Sequence, residues 1–125
     1  MAVYEQIGAG TAAAKLAAAK ALGLTVQLSH RGATAATLYA RFIRERTELV
    51  EDGPGIATEV RIVELEIPTQ TGLAKSSNDQ EPIIPTDKII YCGRNYWVVD
   101  PVEKSAYGYV YSVRIMERKR LASGA

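Results

Sequence analysis

Leu24, Val26 and Leu28 alternate with Thr25, Gln27 and Ser29, and this period of two predicts a strand from Leu24 to His30. The alternation returns from Ile56 to Ile67, with Val60, Ile62 and Glu64 on one face and Arg61, Val63 and Leu65 on the other. Pro68 ends that strand. Further on, Asp87–Cys92 and Asn95–Asp100 flank Gly93-Arg94, and Gly108–Glu117 follows. β-Branched and aromatic residues fill all three segments, which suits a pleated, half-buried surface. Gly-X predicts a two-residue type II′ hairpin turn. That register sets Tyr91 opposite Tyr96, Ile90 opposite Trp97 and Ile89 opposite Val98. Ile90 and Trp97 then share one face, and Ile89, Tyr91, Tyr96 and Val98 share the other. Both faces are apolar, so a closed barrel, the rest of the chain or a neighbouring subunit must cover the second one.

Ala33–Glu48 fits two periods. As a helix it pairs Leu38 with Phe42 and Tyr39 with Ile43; as a strand it alternates. Thr, Tyr, Phe and Ile dominate it, which favours a strand from about Ala36 to Arg44. Thr11–Leu22 is alanine-rich and predicts a helix, capped by Thr11 and ended by Gly23, after an arm at Met1–Gly10. Its apolar face is thin, with Leu16 and Leu22 its only large groups, so it must dock on its own or the next subunit. Arg31-Gly32 and Glu51–Gly55 read as turns, and Asp100-Pro101 opens a loop running to Tyr107. Gln70–Pro85 is polar and irregular, the composition of a long mobile loop.

One helix followed by five or six sequential strands predicts a mainly β fold, an antiparallel barrel or sandwich. The chain reads as a single domain: arm and helix at 1–23, β core at 24–117 with the loop 70–85, and a basic tail at 118–125. Its 125 residues suffice for one core, and 47% hydrophobic with 23% charged residues is an ordinary globular balance. A net charge of +1 gives no push toward nucleic acid or an acidic membrane. The single Cys92 excludes an internal disulfide framework and a cysteine-rich zinc site. No apolar run is long enough to span a bilayer. Glu5, Lys15 and Lys20 argue against reading the alanine-rich start as a secretory signal, which points to a cytoplasm or release by lysis.

Candidate chemistry is sparse. Ile7-Gly8-Ala9-Gly10-Thr11-Ala12-Ala13 matches a Gly-x-Gly-x-x-Ala dinucleotide fingerprint, with Arg31 after the next strand where a 2′-phosphate could be read. The preceding strand would be short and half polar, so a glycine hinge before a capped helix is the better reading. His30 lacks a nucleophile motif and reads as a solvated strand end. Glu59, Glu64 and Glu66 show no sign of the buried, unequal pair that glycoside hydrolysis needs. Arg41, Arg44 and Arg46, interleaved with Glu45 and Glu48, suit intersubunit salt links better than phosphates. Tyr91, Tyr96, Trp97, Tyr107, Tyr109 and Tyr111 could stack bases on an OB-type barrel. Core packing and a subunit interface explain them with less.

The order Ala36–Arg41, a glycine turn, Glu59–Val63, Pro85–Val99 and Tyr109–Arg114 resembles the small head–tail connector proteins of tailed bacteriophages. Within it, proline precedes an aspartate, a strand, a glycine and a strand reading Tyr96-Trp97-Val98. The resemblance covers roughly Leu24–Glu117. It implies a head-closure or neck protein of the virion, assembled in the host cytoplasm as a homo-oligomeric ring, six- or twelve-fold, between portal and tail. Portal or adaptor and tail proteins would be its partners, and double-stranded DNA would pass through without sequence-specific binding. It implies no catalytic residues, no cofactor, no metal and no membrane. Leu16, Leu22, Tyr91, Tyr96, Trp97, Tyr109 and Tyr111 are then the candidate subunit contacts. Lys75, Ser76, Ser77, Asn78, Asp79 and Gln80 are candidates for a loop facing the channel. The alternatives are an oligonucleotide- or ligand-binding barrel and a dinucleotide enzyme built on Gly8 and Gly10.

Overall fold

The alternating segments become seven antiparallel strands in a single sheet. The computed structural model describes residues 2–77 and 80–120, apart from the side chains of Asp52 and Arg120. In chain order the strands are β1 (Thr25–Ser29), β2 (Ala36–Tyr39), β3 (Arg41–Gly53), β4 (Ile56–Pro68), β5 (Lys88–Tyr91), β6 (Arg94–Ser105) and β7 (Val110–Arg120). Their spatial order is β2-β1-β5-β6-β7-β4-β3. The ladder does not close, yet its two edge strands are consecutive in the chain. They part only at the buried Ala40, whose N–H donates to Leu24 O at 3.1 Å. The sheet therefore curls around one core. The ambiguous segment is strand, but in two pieces: small Ala40 lets the backbone turn from one neighbour to the other.

Leu38, Leu65, Ile67, Ile89, Tyr96, Tyr111 and Ile115 are fully buried in that core. Each such side chain contributes about 1.5–3 kcal/mol relative to leaving it exposed. The buried set on β4 switches face along the strand. Thr58 and Val60 are covered near one end, and Val63, Leu65 and Ile67 near the other.

The β5–β6 hairpin forms with a different turn. Cys92 and Gly93 are the two central residues, with φ of 50° and 77°, the positive pair of a type I′ turn rather than the Gly-first type II′. Tyr91 pairs with Arg94, Ile90 with Asn95, Ile89 with Tyr96 and Lys88 with Trp97. Every partner moves by two positions. A shift of two keeps side-chain parity, so the division of the faces survives although every expected pair is replaced.

The helix, α1, runs from Val3 to Leu22, so the expected arm is helical. Nothing between Tyr4 and Ile7 breaks a helix, and Glu5 in the first turn suits the positive end of its dipole. Thr11 is no cap: it sits mid-helix, where its hydroxyl donates to Ile7 O at 2.8 Å. Gly23 does end the helix, at φ 75° with its N–H on Ala19 O. The docked stripe is Gly8, Ala12 and Ala19. Small residues let α1 lie against a 3₁₀ turn at Ala106–Gly108 and against β4. Lys15 ties it to Glu66 at 3.0 Å.

Two further expectations change. β6 continues through Pro101 as a bulged strand to Ser105, replacing the expected loop, and Asp100-Pro101 is cis. Arg118, Lys119 and Arg120 extend β7, where a tail was expected; 121–125 lie outside the described residues.

Candidate functional site

Four surfaces carry chemistry or uncovered apolar area. The first is the outer face of the sheet. Register places Lys88, Trp97, Met116, Ile62 and Arg46 in one row across five strands. Trp97 is 47% exposed there. One step along, Arg44 pairs with Glu64 and holds its carboxyl below the usual carboxylate range. The Arg114 guanidinium donates to Asp100 O at 2.9 Å. A groove of about 550 Å³ is lined by this ion pair, Arg114 and Pro101.

The second surface is the N-terminal end of α1 beside the Ala106–Gly108 turn. Val3, Tyr4 and Ile7 are exposed on it, and the Tyr4 ring meets exposed Tyr107 at 5.6 Å. Leu22 is 72% exposed at the other end. The third is the free edge of β3, where every described residue from Arg41 to Glu51 is exposed, Leu49 to 71%.

The fourth is a polar cluster at the β1 end. Asp87 is 3% exposed. Its carboxylate accepts from Arg31 N and Ile84 N, both at 3.0 Å, and lies 2.6 Å from His30 Nδ1. His30 is thus half-buried and partnered, not a solvated strand end. The acceptor holds together the β1–β2 turn, the end of the long loop and the start of β5. In the sequence Asp87 stands as the first residue of a strand and as the aspartate of the connector-like motif. A buried charge with three partners leaves no period in the sequence, and its single trace is an aspartate directly before an apolar run.

The candidate contact residues divide. Trp97 and Leu22 are on the surface, and Leu16 and Tyr91 are half-buried. The Tyr91 ring stands edge-on to Tyr96 at 5.7 Å. Tyr109 is half-buried between Gly8 and Lys75, whose ammonium lies 5.1 Å from its ring centre. Tyr96 and Tyr111 leave the set, because the protomer's own core consumes both. The Tyr111 hydroxyl donates to Ala74 O at 2.8 Å, and burial raises its pKa.

The long loop is anchored more than its composition suggests. Leu73 and Ile83 are buried, and Ser76 N donates to Gly108 O at 3.1 Å. Lys75 sits 3.7 Å from Glu5 of α1. Ser77 and Gln80 are exposed and pair through their backbones, while Asn78 and Asp79 lie outside the described residues. The supposed dinucleotide glycines are both inside α1, so no glycine loop leads into a helix N-terminus there. Glu59, Glu64 and Glu66 lie spaced along β4, with Glu64 paired to Arg44 and Glu66 to Lys15.

Among the described residues no three metal-ligating side chains gather, and no helix is long and apolar enough to cross a membrane. No protein-family model matches the chain, and neither does any curated protein.

Proposed function

We propose that this protein is a structural connector of a bacteriophage neck, a ring of identical subunits between portal and tail that closes the head and conducts DNA. The observation that carries the reading is apolar surface left uncovered in two separate places. Exposed Trp97, beside half-buried Met116 and Ile62, marks one place, and Val3, Tyr4, Ile7 and Tyr107 form the other. Aromatic residues of this kind are enriched where subunits meet. Two separate patches on one chain suit the head-to-tail contacts that close a ring. The likeness of the strand order from Ala36 to Arg114 to head–tail connectors supplies the biological setting. A near-neutral charge fits a conduit that lets DNA pass without gripping it.

The test is assembly in the presence of portal and tail components, imaged as particles and weighed by light scattering. Rings, or the chain seated on a portal or tail, are expected. A chain that stays monomeric and ignores both would overturn the reading. Trp97→Ala should cost the isolated protomer only about 1 kcal/mol, since the ring is half exposed, while weakening assembly. A loss of about 3–5 kcal/mol would place the ring in the core.

Exposure of Trp97 beside Lys88 favours one second reading, a barrel that stacks single-stranded nucleic acid on that ring. Titration with single-stranded DNA at low salt, followed by Trp97 fluorescence, separates the two. A saturable change at micromolar DNA would establish the second reading.

A further inference from the structure

The two edges of the sheet are treated differently. At the β2 edge the Gln70 side chain acts as a substitute strand. Its Oε1 accepts from Tyr39 N at 2.8 Å, and its Nε2 donates to Tyr39 O at 2.9 Å and to Pro68 O at 3.0 Å. The amide therefore satisfies the backbone groups of Tyr39, at one end of the short β2 edge, that would otherwise be open to another chain. β3 has no such cover among the described residues. It pairs with β4 on one side only, and its regular stretch, between register shifts at Ile43 and Asp52, is Arg44–Glu51.

We propose that the β3 edge pairs antiparallel with β3 of a second copy of this chain, about a two-fold axis at Thr47. The capped edge leaves like to meet like, which makes the contact isologous. For one continuous sheet with both cores on the same side, the axis must pass through a residue, because facing residues share a face. An axis at Arg46 would set that arginine against itself. An axis at Glu45 or Glu48 would do the same to a glutamate, and the first would also oppose Arg44 to Arg46. Like charges directly opposite are destabilising. Axes at Leu49 and Val50 avoid this too, but keep only five and three residues of each strand within the regular stretch, whereas Thr47 avoids it and keeps seven. It faces its own copy, Arg46 faces Glu48 twice, Arg44 faces Val50, and Glu45 faces Leu49. Seven residues of each strand pair within the regular stretch. Arg46 and Glu48 already lie 3.5 Å apart within one chain, so the exchange preserves their charge balance. Leu49 and Val50, exposed in the protomer, gain neighbours.

This contact is independent of the connector reading. A β3 dimer stands if the chain never joins a virion, and a ring with β3 unpaired leaves that reading intact while ending this one. The test uses the full chain with exposed Cys92 replaced, Cys92→Ser, as background. Adding Thr47→Cys should give an interchain disulfide under mild oxidation, whereas Glu45→Cys should not. Sedimentation should show a concentration-dependent dimer. Arg46→Glu or Glu48→Arg alone should weaken it by about tenfold or more, and the two together should restore it. Slow exchange of alternate β3 amides in the unmutated dimer, relative to dilute monomer, gives a readout free of any folding defect. A monomer at high concentration, no cross-link at position 47, or a dimer indifferent to both reversals would overturn the proposal.

Discussion

Gly8 and Gly10 look alike in the sequence and do opposite things. A Cβ at Gly8 would lie 2.6 Å from Ala106 O and 2.6 Å from the Tyr109 ring, and the first of these is backbone. Gly10 has no such neighbour within 4 Å. Alanine favours a helix over glycine by roughly 1 kcal/mol, so propensity alone predicts gain at both positions. Contact reverses one of them. Gly8→Ala should lose about 1–3 kcal/mol as α1 is pushed off its seat, whereas Gly10→Ala should gain about 0.5–1 kcal/mol. Chemical denaturation of both variants checks this, and equal effects would refute the close approach. Asp87 makes a second prediction at this scale. Asp87→Ala strands the N–H groups of Arg31 and Ile84, at a cost of about 2–4 kcal/mol. Amide exchange at those two residues should quicken before it does elsewhere. Unchanged exchange there would show that the carboxylate does not hold the loops.

Elements are where the sequence was most and least readable. The alternation of Leu24–Ser29 and Ile56–Ile67 gave the strands because half-buried strands have a period of two. The faces of the hairpin were also legible, since parity survives a shift of two. Its register was not, because Cys92 adopts a positive φ that composition gives no reason to expect. The start of α1 was hidden for a related reason: a glycine pair reads as a hinge until the surface that needs Gly8 is known. The same blindness covered Gln70, one polar residue among many in a loop, whose amide caps Tyr39 at the β2 edge. Gln70→Ala should therefore do more than lose about 1–2 kcal/mol. Tyr39 N and O would become a free strand edge, so the variant should self-associate at concentrations where the parent does not. Light scattering over a concentration series measures that. A variant that is merely less stable, with unchanged mass, would mean the edge is blocked by something else.

At the scale of the whole molecule, the helix closes one side of a curled sheet and the long loop is laced to both. Two phenols report on this packing: Tyr111, bonded to the loop, and Tyr91, set against Tyr96 in the hairpin. Burial pushes the Tyr91 hydroxyl up to about 12 and raises that of Tyr111 as well. Tyr111 also donates to Ala74 O, a bond its phenolate would lose. In the unfolded chain both groups ionise near about 10. The folded protein thus holds protons that the unfolded chain has released, and stability depends on pH wherever the two states differ in bound protons. The contribution is intact below about pH 10 and is lost as pH rises through about 12. Thermal unfolding midpoints should fall steeply across that window. The phenolate absorbance of Tyr91 and Tyr111 should appear late, above the ordinary phenol range. Tyr111→Phe keeps the ring in the core and removes one of the two groups. It should start less stable by about 0.5–1.5 kcal/mol, from the lost hydrogen bond, yet lose stability more gently above about pH 10. If parent and variant fall in parallel, Tyr111 is not held in a proton-retaining site, and the junction of β7 with the loop at Ala74 is open to water.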